Sequence, residues 1–482
     1  MTRLPALVVA IATACAANAA AQATRADFAD AYQRFERAYA EHHPSGAALA
    51  DVNRAFDRLT VAFFGGDTKN AMRELAELTA SVAGRERTPD ERALDTLKLR
   101  VDPPTAVGAG PFTVSLRVTQ LYREELDHPL ALTLHAVVTD ASGDHVQDAP
   151  IELVLDPDRD LDAKTKIALP DSAKAPCTGS IRLVAASGAA SRSARFRVAR
   201  ASFDATRAAN CGRIDALRGA TPVLADAIAC CRARNEILRD KPSEMTTTQW
   251  VLDPFRIAAE VDAEIDALAD SIDPYRRRAG DLWRTIDLGP RLPLRVFAPQ
   301  RACGKDPAPL VIVLHGAGGD ENMWLDGYGA GRIERLAEER GFLVVSPLSY
   351  VFTEAPESIT LLIERIAAEY PVDASRVYLI GHSLGAVAAS RIIETEPDLF
   401  AGCVCFSGGR AFAPGAELPP LLYMQGALDP IMAPSRTRAI VDALRAAGKE
   451  NVELREFENV GHTLIVNDQL GAAVDWLLAR KR

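Results

Sequence analysis

A serine flanked by two glycines stands where an apolar segment gives way to a run of small residues. The segment VYLIGHSLGAVAAS, residues 377–390, places Ser383 between Gly381 and Gly385. An apolar strand followed by a small-residue helix predicts a sharp turn, in which the two glycines let strand and helix approach without Cβ clashes. The hydroxyl of Ser383 would then project above a sheet, although an ordinary turn serine is the alternative.

A serine hydroxyl is a poor nucleophile at neutral pH unless a base takes its proton and a carboxylate orients that base. Both groups follow Ser383 in the chain. Asp429 comes after the apolar segment LLYMQG, and His462 comes after the segment VELREFE, just before the last helix. The order serine, acid, histidine on loops after successive strands predicts a catalytic triad of Ser383, Asp429 and His462.

Other residues compete for two of these roles. Of the eight histidines, only His382 and His462 lie in the serine segment or beyond it, and the side chain of His382 should point away from the turn. Asp442 lies inside a helical segment and Asp468 follows the histidine, so Asp429 is preferred as the acid. Taken singly, Asp429 suits a helix N-cap and His462 an ordinary loop, but their order after the serine favours the triad.

A further requirement is a pair of N–H donors for the charge that develops on the attacked oxygen. The backbone amide of Leu384, first in the helix after the turn, is one expected donor. The segment LHGAGGDENMW follows the first long strand and supplies the second, the amide of Ala317. Gly316, Gly318 and Gly319 would let this loop turn its N–H inward, although the same residues suit a plain strand-to-helix turn.

The elements that must hold these residues follow one another from residue 282 onward. Uninterrupted apolar strands alternate with amphipathic helices, which predicts a doubly wound, mostly parallel α/β sheet covered on both faces. Upstream, apolar residues recur at helical spacing on both sides of a region of short alternating strands typical of a small all-β sandwich. The chain therefore divides into a signal peptide (1–23), a helical segment (24–96), a β-sandwich-like domain (97–200), a helical segment (201–281) and an α/β catalytic domain (282–482).

The first residues have the pattern of a secretory leader. One arginine precedes an apolar run at residues 4–14, and two A-x-A patterns follow, so cleavage is expected between Ala20 and Thr24. The run is too short to span a bilayer, and no other segment is long and apolar enough. Export, to the periplasm or out of the cell, is expected; a soluble N-terminal helix and lipidation at Cys15 are the alternatives.

Charge and composition limit the classes of binding partner that are expected. The formal net charge is −10 and the isoelectric point is near 5.5, and no segment dense in lysine and arginine offsets this balance. A nucleic acid or an anionic membrane surface is therefore not an expected partner. Because no CxxC or histidine-rich spacing indicates zinc, neither a metal nor a cofactor is expected. The oligomeric state stays open.

The cysteines fit an exported protein. Removal of Cys15 with the leader would leave seven of the eight, an odd number. The expected disulfide joins Cys211 to the neighbouring pair Cys230 and Cys231, whereas the CVC segment at residues 403–405 alternates as in a buried strand and predicts inert core thiols.

The segments LHGAGGDENMW, GFLVVSPLSY, YPVDASRVYLIGHSLGA and YMQGALDPIM resemble the α/β-hydrolase superfamily over roughly residues 282–482. Within it they are similar to secreted esterases of the feruloyl esterase and polyhydroxyalkanoate depolymerase type, and equally to prolyl-oligopeptidase-type catalytic domains. The resemblance implies Ser383 as nucleophile, Asp429 as orienting acid and His462 as base. One departure is Ala386, where many relatives carry a second glycine.

The substrate is less well defined. Only RAFAPGAELPP lies between Gly409 and Leu421, too short for a lid, so an open site that admits a bulky, polymeric or peptide-borne acyl group is expected. Trp324, Tyr328 and Tyr350 either line its pocket or simply pack. The sandwich and helices upstream either bind substrate or shield the catalytic domain, and their low aromatic content favours the structural role.

Three functions follow from these residues. The favoured one is an exported serine hydrolase that cleaves carboxylic esters through an acyl-enzyme. A serine peptidase of the prolyl-oligopeptidase type would use the same residues on a peptide bond. A protein of a different class, a catalytically silent binding protein on the same scaffold, is the third.

Overall fold

The computed structural model describes residues 23–108, 112–122, 124, 130–140, 143–155, 162–169, 177–185, 190–217, 224–243 and 245–482. The expected leader, apart from its last residue, and Cys15 lie outside the described residues. The described chain forms two compact units. One includes Arg87–Arg200, and the other combines Arg25–Glu86 with Ala201–Arg482.

The α-helices of the described chain are, in order, α1 (Arg25–His42), α2 (Gly46–Phe64), α3 (Thr68–Val82), α4 (Pro89–Asp95), α5 (Phe203–Leu217), α6 (Ala225–Asn235), α7 (Thr248–Val251), α8 (Pro254–Ala269), α9 (Arg332–Arg340), α10 (Val351–Glu354), α11 (Ser358–Glu369), α12 (Leu384–Thr395), α13 (Pro434–Ala446) and α14 (Ile465–Leu478).

The β-strands of the described chain are, in order, β1 (Leu97–Asp102), β2 (Thr105–Val107), β3 (Thr113–Gln120), β4 (Leu130–Asp140), β5 (Gly143–Leu155), β6 (Asp162–Ala168), β7 (Cys177–Ala185), β8 (Ser191–Ala199), β9 (Gly280–Asp287), β10 (Arg291–Ala298), β11 (Ala308–Leu314), β12 (Leu343–Pro347), β13 (Val372–His382), β14 (Gly402–Phe406), β15 (Leu421–Gly426) and β16 (Val452–Phe457).

The unit that includes Arg87–Arg200 is built from two sheets. Strands β1, β3 and β6 pair in the order β1-β3-β6, and the other five pair in the order β2-β8-β7-β4-β5. All pairs are antiparallel except β2 with β8. Leu116 on β3 and Ile181 on β7 belong to one buried core that both sheets share. Alternation of buried and exposed residues along β7 gives the sheet one apolar face, which the other sheet covers.

The larger unit contains an eight-stranded sheet in the order β16-β15-β14-β13-β11-β12-β10-β9. The hairpin β9–β10 and its pairing with β12 are antiparallel, and the remaining neighbours are parallel. Every residue of β11 is buried. Successive residues of β11 belong to different cores. Ile312 lies in a core that includes residues of helices α11 to α13, and Val313 lies in a core that includes residues of α9 and α14. The predicted α/β sheet covered on both faces is confirmed, as is the all-β sandwich before it.

The N-terminal helices pack within this larger unit. Helix α2 is amphipathic, and its Phe56 ring stacks on the Phe35 ring of α1 at a centroid distance of 5.0 Å. The buried carboxylate of Glu36 on α1 accepts a hydrogen bond from the backbone N–H of Gly329 at 3.1 Å. Helices α1 and α2 thus contact the loops that follow the strands of the large sheet.

The expected disulfide is wrong. None of the seven described cysteines forms a disulfide bond. The Sγ atom of Cys211 lies 3.5 Å from Nδ2 of Asn235 and 3.9 Å from Oε1 of Glu236, while Cys230 and Cys231 are fully buried in α6. The cysteine pair therefore belongs to the helix core, and spacing along the chain did not reveal which helix faces meet. The thiols at 403 and 405 are buried in β14, as predicted.

Candidate active site

Ser383 lies at the junction of β13 and α12 with a backbone conformation that L residues rarely adopt. Its φ is 56° and its ψ is −117°, and its N–H donates to the carbonyl oxygen of Phe406 at 2.9 Å. A Cβ at Gly381 would lie 2.4 Å from the carbonyl oxygen of Gly385, and a Cβ at Gly385 would lie 2.2 Å from that of Leu314. The serine is therefore held in a strained conformation at a corner where only glycine fits on either side.

Three side chains from separate loops form a hydrogen-bonded series. Nε2 of His462 lies 2.9 Å from Oγ of Ser383, and Nδ1 of His462 lies 2.8 Å from Oδ2 of Asp429. Ser383 follows β13, Asp429 follows β15 and His462 follows β16. These parallel strands end at the same edge of the sheet, so their loops meet there. Asp429 and His462 are buried and Ser383 is half-buried, so solvent reaches the series mainly at the serine.

The carboxylate of Asp429 is surrounded by N–H donors. Its Oδ1 accepts from the backbone N–H groups of Ile431 at 2.9 Å and Met432 at 2.8 Å, and its Oδ2 accepts from Nε2 of Gln425 at 3.1 Å. Burial acts to raise the pKa of Asp429, but the hydrogen bonds from His462 and the two backbone N–H groups outweigh it and hold the pKa below its ordinary value. Asp429 is therefore ionised at neutral pH.

His382, the neighbour of the serine, contacts the backbone of the other histidine. Its Nε2 lies 3.0 Å from the carbonyl oxygen of His462, and its Nδ1 lies 2.7 Å from the hydroxyl of Tyr328. Burial, and then the nearby His462, lower the pKa of His382 to about 3, so the ring is neutral. Since a carbonyl only accepts, Nε2 carries the proton and Nδ1 accepts from Tyr328. His382 thus holds the His462 loop, a role that the sequence did not indicate.

The loop after β11 lies directly against the serine. A Cβ at Gly316 would lie 3.2 Å from Cβ of Ser383. His315 fixes this loop, because its Nδ1 lies 2.8 Å from the carbonyl oxygen of Gly316 and its Nε2 accepts from the N–H of Ser349 at 3.0 Å. Burial lowers the pKa of His315 to about 4, which keeps the ring neutral with its proton on Nδ1.

Two backbone N–H groups near Ser383 are available to a bound oxygen. Within the part of the chain that the structure describes, neither Leu384 nor Ala317 donates its N–H to a protein acceptor. Leu384 begins α12, where N–H groups have no acceptor within the helix. The next N–H in the loop, that of Gly318, instead donates to the hydroxyl of Tyr350 at 2.9 Å. An oxygen bound beside Ser383 would therefore have two candidate donors.

Helix α2 supplies two polar side chains that the sequence analysis did not single out. Oδ1 of Asn53 accepts from the N–H of Gly461 at 2.8 Å, and the carboxylate of Asp57 accepts from the N–H of His462 at 2.9 and 3.1 Å. Burial raises the pKa of Asp57 to about 7, although the hydrogen bond from His462 acts to lower it. The only signal in the sequence was two polar residues four apart on the apolar face of an amphipathic helix.

The aromatic residues expected at the pocket divide into two groups. Trp324 and Tyr328 are buried and pack edge to face at 4.9 Å, so they belong to the core. Tyr350 is 37% exposed, and Phe64 at the end of α2 is 46% exposed. A Cβ at Gly318 would lie 3.3 Å from Cε1 of Phe64. Two partly exposed rings therefore border the loop beside Ser383, and one of them comes from the N-terminal helices.

A family model for alpha/beta hydrolases matches residues 311–458. The C-terminal sheet has the α/β-hydrolase fold. The match contains Ser383 and Asp429 and ends four residues before His462.

Two curated proteins that are similar to this part of the chain are esterases by name. A feruloyl esterase B of Neurospora crassa is 28% identical over 142 residues, which cover 26% of this chain and 47% of the relative. A bifunctional acetylxylan esterase/xylanase of Neocallimastix patriciarum is 27% identical over 149 residues, which cover 29% of this chain and 22% of the relative. A solved structure of an S-formylglutathione hydrolase from Staphylococcus aureus is 16% identical to this chain, with a TM-score of 0.36. The match covers 42% of this chain and 98% of that protein. The chain spans less than half the length of the two curated relatives.

The two competing acids lie elsewhere. Asp442 is exposed on α13. The carboxylate of Asp468, on α14, accepts from the hydroxyl of Tyr39 at 2.9 and 3.0 Å. Neither contacts the ring of His462, whereas Asp429 does.

The residues that the structure describes contain no group of three or more histidine, cysteine, aspartate or glutamate side chains able to hold a metal ion. Among the same residues, no helix is both long enough and apolar enough to cross a membrane.

Proposed function

We propose that this chain is a serine hydrolase that cleaves carboxylic esters through an acyl-enzyme. The observation that carries the proposal is the hydrogen-bonded series from Oγ of Ser383 through the ring of His462 to the carboxylate of Asp429. An ionised Asp429 keeps the ring proton of His462 on Nδ1. Nε2 is then free to accept the serine proton.

The proposed reaction uses these groups in two halves. As Oγ of Ser383 bonds to the ester carbonyl carbon, Nε2 of His462 takes its proton, and the carbonyl electrons move to the oxygen. The N–H groups of Leu384 and Ala317 donate to this oxyanion, and losing one such donor typically costs ~3 kcal/mol of transition-state stabilisation. Collapse breaks the bond to the alkoxide, which leaves as an alcohol with the proton of His462. Water then hydrolyses the acyl-enzyme by the same proton transfers and restores Ser383.

The names of the relatives support esters as the substrate class. They point to feruloyl and acetyl esters, including esters carried on a polysaccharide. The exposed rings of Phe64 and Tyr350 beside the serine loop suit an aromatic acyl group. The segment at residues 410–420 contains no helix, and this supports access for a bulky substrate.

Replacement of the serine tests the proposal. Ser383→Ala should abolish hydrolysis of p-nitrophenyl butyrate and labelling by a fluorophosphonate probe, while circular dichroism stays unchanged. The matched control is Ser375→Ala towards the opposite end of the same strand, where the hydroxyl donates to Oδ1 of Asp373 at 2.6 Å. A Ser383→Ala protein that still hydrolyses the ester would refute the assignment of the nucleophile.

A substrate panel tests the bond and the acyl group. The wild-type chain should hydrolyse p-nitrophenyl butyrate, and methyl ferulate and acetylated xylan are the next substrates to compare. Turnover of a prolyl- or alanyl-p-nitroanilide without turnover of any ester would favour a peptidase instead.

Two further parts of the proposal come from the sequence. Export through a signal peptide at residues 1–23 accounts for the small and apolar residues there. The proposal also keeps the predicted segment boundaries at residues 97, 201 and 282. N-terminal sequencing of the mature protein tests the cleavage site.

A further inference from the structure

The segment that carries His462 is contacted by helix α2, more than four hundred residues earlier in the chain. Oδ1 of Asn53 accepts from the N–H of Gly461 at 2.8 Å, and the carboxylate of Asp57 accepts from the N–H of His462 at 2.9 and 3.1 Å. Both contacts are made to backbone N–H groups. They therefore fix the position of the backbone at His462 and make no direct contact with its ring.

Helix α1 holds the continuation of the same segment. Oε2 of Glu36 accepts from Nδ2 of Asn467 at 2.9 Å. The hydroxyl of Tyr39 donates to both carboxylate oxygens of Asp468, at 2.9 and 3.0 Å. Residues 467 and 468 lie in the first turn of α14, which begins three residues after His462. The two helices thus hold the histidine segment at both ends.

The two polar residues on α2 are buried, and their contacts with the histidine segment supply the partners that burial requires. Asn53 is 0% exposed and Asp57 is 2% exposed, on a helix face whose other residues are apolar. Burying an amide or a carboxylate without a partner costs several kcal/mol, so an apolar residue would suit this face better if packing were its only task. The apolar neighbours on this face are Val52, Phe56 and Leu59.

Gly461 is shaped to the carboxylate. A Cβ at Gly461 would lie 2.1 Å from Oδ2 and 2.9 Å from Cγ of Asp57, and these are the nearest atoms that it would meet. Only a glycine at this position lets the carboxylate approach the N–H of His462.

We propose that Asp57, with Asn53 beside it, is a positioning residue for His462, so that helix α2 completes an active site whose reacting groups all lie on the α/β-hydrolase sheet. The inference rests on the proposed function. His462 is then held at three points: its ring by Asp429, its N–H by Asp57 and its carbonyl oxygen by His382. Loss of the N–H contact lets the ring shift away from Oγ of Ser383, and a shift of about 1 Å costs on the order of 100-fold in rate.

The kinetic experiment compares Asp57→Ala with Asp57→Asn in the full-length chain. Sites are counted by a fluorophosphonate titration, and turnover of p-nitrophenyl butyrate is expressed per labelled site. Asp57→Ala should lower kcat by roughly 10- to 100-fold with KM changed less than about 3-fold. Asp57→Asn should retain most of kcat, because its amide oxygen can still accept from the N–H of His462. Asp51→Asn, on the exposed face of α2 where Asp51 pairs with Arg54, should leave kcat unchanged.

A purely structural role predicts a different result. In that case Asp57→Ala would reduce the number of labelled sites or the unfolding temperature, but each labelled site would turn over at the wild-type rate, and this outcome overturns the inference. If the wild-type chain hydrolyses no ester at all, the proposed function fails instead.

Two further measurements test the inference, and the second does so even if the wild-type chain hydrolyses no ester. Gly461→Ala should impair the enzyme strongly in the wild-type background and have little added effect in Asp57→Ala, whereas additive effects contradict the contact. The downfield proton resonance of His462 Nδ1–H, which requires no turnover, should persist in Asp57→Asn and broaden or disappear in Asp57→Ala. Its persistence unchanged in Asp57→Ala overturns the positioning role.

Discussion

Two buried aspartates contact His462, one from the sheet and one from the N-terminal helices. Asp429 follows β15 and lies 2.8 Å from Nδ1 of the ring, whereas Asp57 lies on α2 and accepts from the backbone N–H. Their pKa values shift in opposite directions. That of Asp429 is held below its ordinary value, and burial raises that of Asp57 to about 7.

The difference lies in the number and kind of donors around each carboxylate. Burial disfavours the charge on both groups, but Asp429 receives a ring N–H, two backbone N–H groups and the amide of Gln425. Among the described residues, the donors to Asp57 are backbone N–H groups, and Asp57 also faces the charge of Asp429. In the proposed mechanism the carboxylate that stabilises a charged ring is thus kept ionised, while one that holds a backbone N–H can still accept through its carbonyl oxygen when it is protonated.

The largest expected effect follows from replacing the sheet aspartate. Asp429→Asn should lower kcat for p-nitrophenyl butyrate by about 10⁴-fold, because the amide lets the His462 ring take the wrong tautomer and leaves the imidazolium uncompensated. The measurement is kcat per fluorophosphonate-labelled site. The matched control is Asp442→Asn on the exposed face of α13, which should retain wild-type kcat. Inactivation by the control and not by Asp429→Asn would mean that the acid has been wrongly assigned.

The same comparison explains how much could be predicted from the sequence. Ser383, Asp429 and His462 each follow an apolar strand of a mostly parallel sheet, and such strands end at one edge. Their meeting was therefore predictable from local pattern alone. The sharp turn at Ser383 was predictable for the same reason, because glycines at 381 and 385 leave few other ways to join strand and helix.

The helical part of the site was not predictable in this way. Asp57 and Asn53 have no motif, and their partners are backbone N–H groups at residues 461 and 462, which any sequence could offer. Which face of an amphipathic helix meets which loop depends on packing between distant segments. The predicted disulfide from Cys211 was wrong for the same reason, because the sequence does not show how these helices pack. In the structure, Cys211 is a free cysteine.

A smaller effect should appear in the pH dependence of stability. The pKa of Asp57 rises from an ordinary value near 3.8 to about 7 on folding, so the folded chain binds more protons than the unfolded chain between those values. The contribution of Asp57 to the free energy of unfolding is therefore fully present below about pH 4 and is lost as the pH rises through 7. Asp57→Asn removes this loss. Relative to wild type, the free energy of unfolding of Asp57→Asn should therefore increase by on the order of 2 kcal/mol between pH 5 and pH 8. The measurement is the difference in thermal midpoint between the two proteins across this pH range.

Asp429 provides the contrast for that measurement. Its pKa is lowered on folding, so the carboxylate is ionised in both folded and unfolded chains throughout pH 5 to 8. Titration of Asp429 itself therefore adds no pH dependence to stability in this range. A difference in thermal midpoint between Asp57→Asn and wild type that stays constant from pH 5 to 8 would show that the carboxylate on α2 titrates normally.

The smallest expected effect concerns the third contact to His462, made through its carbonyl oxygen. The hydroxyl of Tyr328 donates to Nδ1 of His382 and so keeps the proton on Nε2, which donates to that oxygen. Tyr328→Phe leaves Nδ1 buried without a donor and weakens the preference between tautomers, a change of about 1 kcal/mol. We expect kcat to fall less than about 5-fold. Tyr378→Phe, which removes a hydroxyl bonded to the carbonyl of Arg480 away from the site, should leave kcat unchanged. A loss for Tyr328→Phe as large as that for Asp57→Ala would mean that the carbonyl contact positions the histidine as strongly as the N–H contact does.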